Sequence, residues 1–332
     1  MLKPNIPQEL VKVFKRHKYQ IAGRHSAVKT CYWTRQSLLS GGRRFCYKQK
    51  FYGVPSLRCL QMTPSLGRCL QSCLFCWRVT PADLGIAWNQ TVFPVEEADD
   101  PAFIVEQTLK AQRRALIGFK GNPRVDKGLL ELALKPIHAA ISLEGEPTLY
   151  PYIGELIEEY FKHGFKTVFL VTNGLMPKTL ASLSCEPSQL YVSVSAPDRE
   201  TYKKVCRPLV PDGWERLNET LELLESFKAP TVIRHTLVRG LNLKNPEGYA
   251  KLIEKANPTY VEPKAAMALG YFRRRLPLNA MPKHYEIKAF AEELSRLTGY
   301  RILDESLPSQ IVLLSRLDKP IRLISPEEAY RL

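Results

Sequence analysis

From residue 138 onward, short apolar runs alternate with segments whose apolar residues recur at helical spacing. Repeated βα units building a mainly parallel sheet produce this pattern, because a strand buried on both faces is apolar throughout while a surface helix is apolar along one stripe. Strands are predicted at 138–143, 166–171, 189–197, 231–240 and 259–269. Helices are predicted at 151–164, 214–227, 246–256 and 282–297, with a short one between Gly174 and the third strand. Pro263 predicts an edge position or a bulge in the last strand, since proline cannot donate to a ladder. Upstream, 57–63 fits a first strand and 101–117 the helix completing its unit, giving about six βα units.

Polar or glycine-containing segments follow the strands at Cys69–Cys76, Glu144–Glu146, Thr172–Gly174 and Ser193–Ser195. Ligands of parallel α/β architectures sit at the carboxyl ends of the strands, so these segments are expected to converge on one site. The expected fold class is α/β, a partial TIM-type (βα)6 barrel with N-terminal and C-terminal extensions. Residues 1–56 form the basic N-terminal extension, 57–300 the barrel, and 301–332 a C-terminal extension packing on it. A chain of 332 residues with 45% hydrophobic content can bury one large core of this kind.

No run of about 18 apolar residues occurs, and the N-terminal MLKPNIPQELVKVFKRHKYQ is too charged to hold a signal peptide's apolar stretch. A soluble cytoplasmic protein without a membrane partner is expected. In that reducing compartment, eight cysteines point to metal or catalytic thiols rather than disulfides. The formal net charge is +15, and residues 1–60 supply most of it, with 13 Lys and Arg against one acid, Glu9. Phe14, Tyr19, Tyr32, Trp33, Phe45, Tyr47, Phe51 and Tyr52 are interleaved with this charge. Cations attract phosphates and aromatic faces stack on unpaired bases, so RNA leads as a partner. Lys12–Lys18, Arg43, Arg44 and Arg273–Arg275 are the candidate phosphate contacts. A solvated basic surface is the alternative, and charge alone leaves the two even.

The cysteines tip that balance. Six of the eight fall between Cys31 and Cys76, while Cys185 and Cys206 stand apart and read as plain thiols. Cys69, Cys73 and Cys76 have the spacing C-x3-C-x2-C directly after the first predicted strand. Three thiolates hold three irons of a [4Fe–4S] cluster and leave the fourth open to a small molecule, whereas an electron-transfer cluster normally takes four cysteines. Structural zinc needs four closed ligands, which no nearby His or Cys completes. Cys31, Cys46 and Cys59 form a second triplet associated with the basic segment, too widely spaced for a local zinc pattern, and point to a second cluster with one open iron.

With Phe75 immediately before its last cysteine, the C-x3-C-x2-C loop resembles the radical S-adenosylmethionine (radical SAM) signature. The resemblance implies that SAM chelates the open iron and is cleaved to a 5′-deoxyadenosyl radical. Gly145-Glu146 resembles the pair that holds the SAM amino group, although Glu144 stands where family members have serine. Asn173, Ser193 and Ser195 resemble strand-end residues that contact the SAM carboxylate or ribose. Together, CYKQKFYG (46–53), CLQSCLFCWR (69–78), ISLEGEPTLYP (141–151), TNG (172–174), SVSAPD (193–198) and RHTLVRGLN (234–242) resemble the archaeal tRNA 4-demethylwyosine synthases.

That family resemblance implies a carbon–carbon lyase that inserts two carbons of pyruvate into N1-methylguanosine-37, in the anticodon loop of tRNA-Phe. It implies SAM beside the two [4Fe–4S] clusters that the cysteines point to, and a monomer is expected. An external one-electron reductant is expected too, because the flavodoxin-like domain of eukaryotic relatives has no room here. Lys48 is the candidate Schiff-base lysine for pyruvate, with chelation by the second cluster as the alternative. Nearby cations such as Lys50 are expected to favour its neutral, nucleophilic amine. Two rival readings share part of this pattern. A methylthiotransferase-like RNA modifier carries its auxiliary cysteines in a distinct N-terminal domain, and a non-catalytic iron–sulfur RNA-binding protein has no use for Gly145-Glu146, Asn173 and Ser195 behind its cysteines.

Overall fold

The computed structural model describes residues 3–331. Ten strands join one sheet: β1 (Gln20–Ala22), β2 (Ser26–Val28), β3 (Cys59–Thr63), β4 (His138–Ile141), β5 (Thr167–Thr172), β6 (Gln189–Ser193), β7 (Thr231–Leu237), β8 (Tyr260–Ala265), β9 (Arg301–Ser306) and β10 (Ile311–Ser315). From β3 to β8 every strand pairs in parallel with its neighbour in sequence, so the fold is α/β with a mostly parallel sheet. The hairpins β1–β2 and β9–β10 attach antiparallel at the two ends. Four of the five strands predicted beyond residue 138 stop short of their apolar runs, and the trimmed residues become the strand-end loops. Helices form at Pro101–Leu116, Ile153–Lys162, Gly213–Leu223, Pro246–Ala256 and His284–Thr298, close to the predicted spans. No helix among the described residues is long and apolar enough to cross a membrane.

The expectation of an edge position at Pro263 is corrected, because β8 lies between β7 and β10. Proline fits there because the ladder to β10 lapses between Val261 and Lys264, and β10 itself is irregular against β9 between Leu313 and Leu314.

Period-two alternation sorts the two faces of the sheet. Ala139, Ile141, Val168, Leu170, Leu190, Val192 and Ile233 share one face with Ile153, Leu156, Ile157 and Tyr160, an i, i+3, i+4, i+7 stripe on its helix. Phe169, Tyr191, Val232 and Tyr260 belong to the other face. Three short helices precede β3: α1 (Gln8–Arg16), α2 (Tyr32–Leu39) and α3 (Tyr47–Tyr52). Tyr47, Phe51 and Tyr52 of α3 pack onto that second face, which thereby receives Lys48.

The chain after β10 runs back across α3. The Leu323 amide donates to the Tyr52 carbonyl at 2.9 Å, the Ile321 amide to Tyr260 Oη at 2.7 Å, and Arg322 Nη1 to the Lys50 carbonyl at 2.8 Å. Gly53, at φ 77°, ends α3 where a Cβ would stand 2.6 Å from the Ile324 carbonyl, so glycine is needed for the crossing. Residues 1, 2 and 332 of the expected extensions lie outside the described residues.

Candidate active site

The C-x3-C-x2-C loop follows β3 and is tied down on several sides. The Ser72 and Leu74 amides donate to the carbonyls of Arg207 (3.0 Å) and Val205 (2.9 Å), and the Glu146 amide to that of Arg68 (2.7 Å). Arg275 Nη1 donates to the Cys76 carbonyl at 2.6 Å and the Cys73 carbonyl at 3.4 Å, while Nη2 reaches the Arg78 carbonyl at 3.1 Å. Its Nε and Nη2 also grip the Asp83 carboxylate. The expectation that Arg275 contacts phosphate is therefore corrected. Its donors are spent on the loop and its side chain is 11% exposed.

N–H groups point at the sulfurs, as cluster thiolates require. Asn173 Nδ2 stands 3.7 Å from Cys69 Sγ, and the amides of Gln71 and Arg78 donate to the Cys69 and Cys76 thiols. Burial pushes Cys69 up, and Cys76 to about 11; for Cys73 the hydrogen bond with Cys206 acts first and burial second. Thiolates in such surroundings need positive charge beside them, which iron supplies. Cys206, read from sequence as a plain thiol, thus sits against a candidate cluster ligand. Among the described residues no three His, Cys, Asp or Glu side chains gather around a single ion position. A cluster ties each thiolate to a different iron and so spaces its cysteines more widely than one zinc does.

The strand-end loops reach this loop from the side. Gly145 (φ 72°) closes against it where a Cβ would overlap the carbonyl oxygens of Ser65 and Arg68. Glu146 is 1% exposed. Its Oε1 accepts from the Thr148 amide (3.1 Å), Thr148 Oγ1 (2.6 Å) and Thr172 Oγ1 (2.6 Å), and its Oε2 from the Asn173 amide (2.7 Å). This carboxylate fastens the ends of β4 and β5 together, and Oε2 keeps an acceptor position for a ligand ammonium. Glu144 accepts from the Gly67 amide at 2.8 Å, and burial raises its carboxyl to about 7. Ser195 is buried and takes the Thr236 amide at 3.4 Å, whereas Ser193 is half-buried and pairs with Arg234 across β6–β7. Phe75 wedges between two apolar clusters.

The second triplet converges although its members are distant in sequence. Cys31 caps α2, Cys46 caps α3 and Cys59 opens β3. Two of the three thus stand where free helix N–H groups favour thiolate, and the Lys48 amide donates to the Cys46 thiol. Burial pushes Cys46 up to about 12 and raises Cys59; the Cys31 charge follows as the next cause for both.

Lys48 Nζ lies 4.5 Å from the ring centre of Phe169 and 5.0 Å from that of Tyr191. Burial lowers its pKa, and Arg234 is the largest charge acting in the same direction. Lys50 does not play the part expected of it. Two residues further along the helix it faces away, is exposed, and pairs with Asp304 at 2.6 Å.

Sequence reading missed the polar cluster around Lys48. Glu262 is fully buried. Its Oε1 accepts from Tyr52 (2.7 Å) and Tyr191 (3.4 Å), and its Oε2 from Tyr47 (3.3 Å) and from Arg234 Nε (3.1 Å) and Nη2 (3.0 Å). Burial first, and Glu262 as the largest charge, hold the Tyr52 and Tyr191 hydroxyls protonated, so they act as donors. A signal was present: Ser193, Arg234, Thr236, Glu262 and Lys264 alternate with mostly apolar residues in β6, β7 and β8, and Ser195 continues the alternation past β6, the pattern of a polar inner face.

Lys12, Lys15, Arg16, Lys18, Arg43 and Arg44 are exposed, as are Tyr32, Phe45 and Trp77. Lys29 and Arg78 flank the Tyr19 ring at 4.9 and 5.8 Å. Burial, then Arg78 and Arg35, lower Lys29 to about 8.

Comparison with known proteins decides the family. The radical SAM superfamily model matches residues 63–253, more than half of the chain, and a wyosine base formation model matches 255–316. Over 319 residues the chain is 54% identical to the S-adenosyl-L-methionine-dependent tRNA 4-demethylwyosine synthase of Pyrococcus horikoshii, covering 95% of this chain and 91% of that one. The chain belongs to the tRNA 4-demethylwyosine synthase family of radical SAM enzymes. Another member of this family, from Methanocaldococcus jannaschii, is 40% identical over 95% of this chain and 98% of its own. The solved structure of TYW1 with a lysine-pyruvate adduct bound superposes with a TM-score of 0.85 at 37% identity, covering 96% of this chain and 99% of that one. An archaeal TYW1 crystal structure superposes at 0.77 with 34% identity and the same coverage. Family membership implies SAM and a [4Fe–4S] cluster. Cys69, Cys73 and Cys76 lie within the superfamily match, Glu262 and Lys264 within the wyosine match, and Cys31, Cys46, Lys48 and Cys59 precede both.

Proposed function

We propose that this chain converts N1-methylguanosine-37 of tRNA-Phe to 4-demethylwyosine with two carbons of pyruvate, as a carbon–carbon lyase that works as a monomer with an external one-electron reductant. The observation that carries this reading is Lys48, enclosed between Phe169 and Tyr191 beside a converging cysteine triplet, in a chain whose relative holds a lysine-pyruvate adduct. Cys69, Cys73 and Cys76 hold the SAM-binding cluster, and Cys31, Cys46 and Cys59 a second one. Residues 57–300 are the partial (βα)6 barrel, between extensions at 1–56 and 301–332.

When bound, the first cluster and SAM would supply the radical chemistry for hydrogen-atom abstraction. Glu146 would hold the SAM ammonium, and Asn173, Ser193 and Ser195 its carboxylate and ribose, with Gly145 permitting the approach and Phe75 packing behind. Lys48 attacks the keto carbon of pyruvate, water leaves, and an imine holds the two carbons that enter the base. Burial favours that step, because the amine must be neutral to attack. Exposed Lys12, Lys15, Arg16, Lys18, Arg43 and Arg44 take up tRNA phosphates, while an already unpaired anticodon-loop base turns inward.

The test is anaerobic reconstitution with iron and sulfide, then incubation with SAM, dithionite, pyruvate and N1-methylguanosine-37 tRNA, with nucleosides read by mass spectrometry. A tricyclic product that disappears in Lys48→Ala is expected. SAM cleavage without base modification rejects the assignment.

A further inference from the structure

Two cations and the Lys48 amine share the inner face around one acid. Lys48 Nζ and the Arg234 guanidinium both lie against the Tyr191 ring, at 5.0 and 4.4 Å from its centre. Arg234 pairs in register with Glu262 across β7–β8, and Thr236 with Lys264, so Lys264 stands one step further toward the carboxyl ends on the same face. Glu262 occupies Nε and Nη2 of Arg234, and Tyr47 accepts from Nη2 at 2.7 Å. Arg234 Nη1 bonds to no described residue. Lys264 Nζ donates only to the Ser309 carbonyl, at 2.7 Å, among the described residues, and no described acid bridges it. The site thus carries more positive charge than Glu262 balances, with donors left over, next to the amine that condenses with a ketone.

We propose that Arg234, through Nη1, and Lys264 bind the carboxylate of the 2-keto acid that condenses with Lys48, and so select an α-keto acid over neutral ketones. This rests on the Lys48 assignment above and deepens it. The substrate's geometry requires such a group: its carboxylate is bonded directly to the carbon that Lys48 attacks, so whatever binds that anion must stand within a few ångströms of Nζ. A guanidinium held flat by Glu262 and Tyr47 presents its remaining Nη1 donors in fixed directions, and a charge-assisted bond from them is strong and directional. Tyr47, Tyr52 and Tyr191 then serve as positioning residues, since they fix Glu262 and through it Arg234. A competing use of these cations is to balance thiolates of the second cysteine triplet. That use gives no preference between a charged and a neutral ketone.

The experiment traps the imine on the full reconstituted chain without SAM or tRNA. Pyruvate or its neutral amide is titrated in the presence of cyanoborohydride, which delivers hydride to the C=N carbon; intact mass gives occupancy, and peptide mapping places the adduct. Labelling at Lys48 that half-saturates at least about tenfold lower in pyruvate than in pyruvamide is expected. Lys264→Met and Arg234→Lys should each shrink that preference, and Lys264→Arg should restore it. Lys48 labelling with no preference, or a preference unchanged in both variants, overturns the proposal and leaves Lys48 as the Schiff-base lysine. No labelling at Lys48 overturns both readings.

Discussion

Replacing Glu262 by leucine removes the acceptor shared by Tyr47, Tyr52, Tyr191 and Arg234 and leaves a guanidinium enclosed without a counter-charge. Breaking a buried pair from one side costs about 3–5 kcal/mol. Three tyrosine hydroxyls losing a charged acceptor add to this, each by about 1 kcal/mol or more, unless they find water. In a chain of this size the expected fall in melting temperature is roughly 5–15 °C. Thermal unfolding followed by circular dichroism, on anaerobic protein of matched iron content, measures it. The double variant Glu262→Leu/Arg234→Leu should regain part of the loss, because the isolated charge is gone, although the hydroxyls stay unpaired. A single variant within about 1 kcal/mol of the parent, or a strictly additive cycle, refutes the claim that Glu262 and Arg234 are coupled.

Further expectations follow from other parts of the site. Cys69→Ala and Cys59→Ala should each bind about four irons per chain after reconstitution instead of about eight, and only Cys69→Ala should abolish SAM cleavage; iron and sulfide assays decide this. Gly145→Ala forces a Cβ onto the Ser65 and Arg68 carbonyls at positive φ and should lower both iron content and stability, the latter by about 2 kcal/mol or more on thermal unfolding. Glu144 carries a raised pKa of about 7, so its contribution to stability is fully present below its unfolded value and is lost as pH rises through 7. Glu144→Gln should therefore gain stability relative to the parent between about pH 5 and 8, and a difference in melting temperature that is flat with pH contradicts this. Arg275→Leu should release the Cys73–Arg78 carbonyls and weaken cluster retention, seen as faster loss of iron to a chelator.

The six parallel strands β3 to β8 were legible because such strands are apolar on both faces and their helices carry a clean stripe, as in Ile153–Lys162, whereas β1, β2, β9 and β10 were not expected. The cysteine loop was legible because its ligands are local in sequence. What escaped was long-range. Nothing in the neighbourhood of Pro263 says that β9–β10 will fold back and cover β8. Arg275 reads as one of three surface arginines until Asp83, far away in sequence, is placed beside it. Lys50 stands nearer to Lys48 in sequence than Arg234 does, yet helix geometry turns it to the other side. Glu262 gave a faint signal, an acid alternating with apolar residues in a strand, but its four partners come from α3, β6 and β7.

The return of the last residues across α3 sets a timetable for making the protein. Arg58, next to Cys59, donates to the Arg331 carbonyl at 2.6 Å, and Leu323, Ile321 and Arg322 latch α3 and β8. The Cys69 loop can settle once β8 and Arg275, whose guanidinium grips it, have left the ribosome. The segment that latches α3 follows β10, so the helix that carries Lys48 gains that support later than the Cys69 loop gains Arg275.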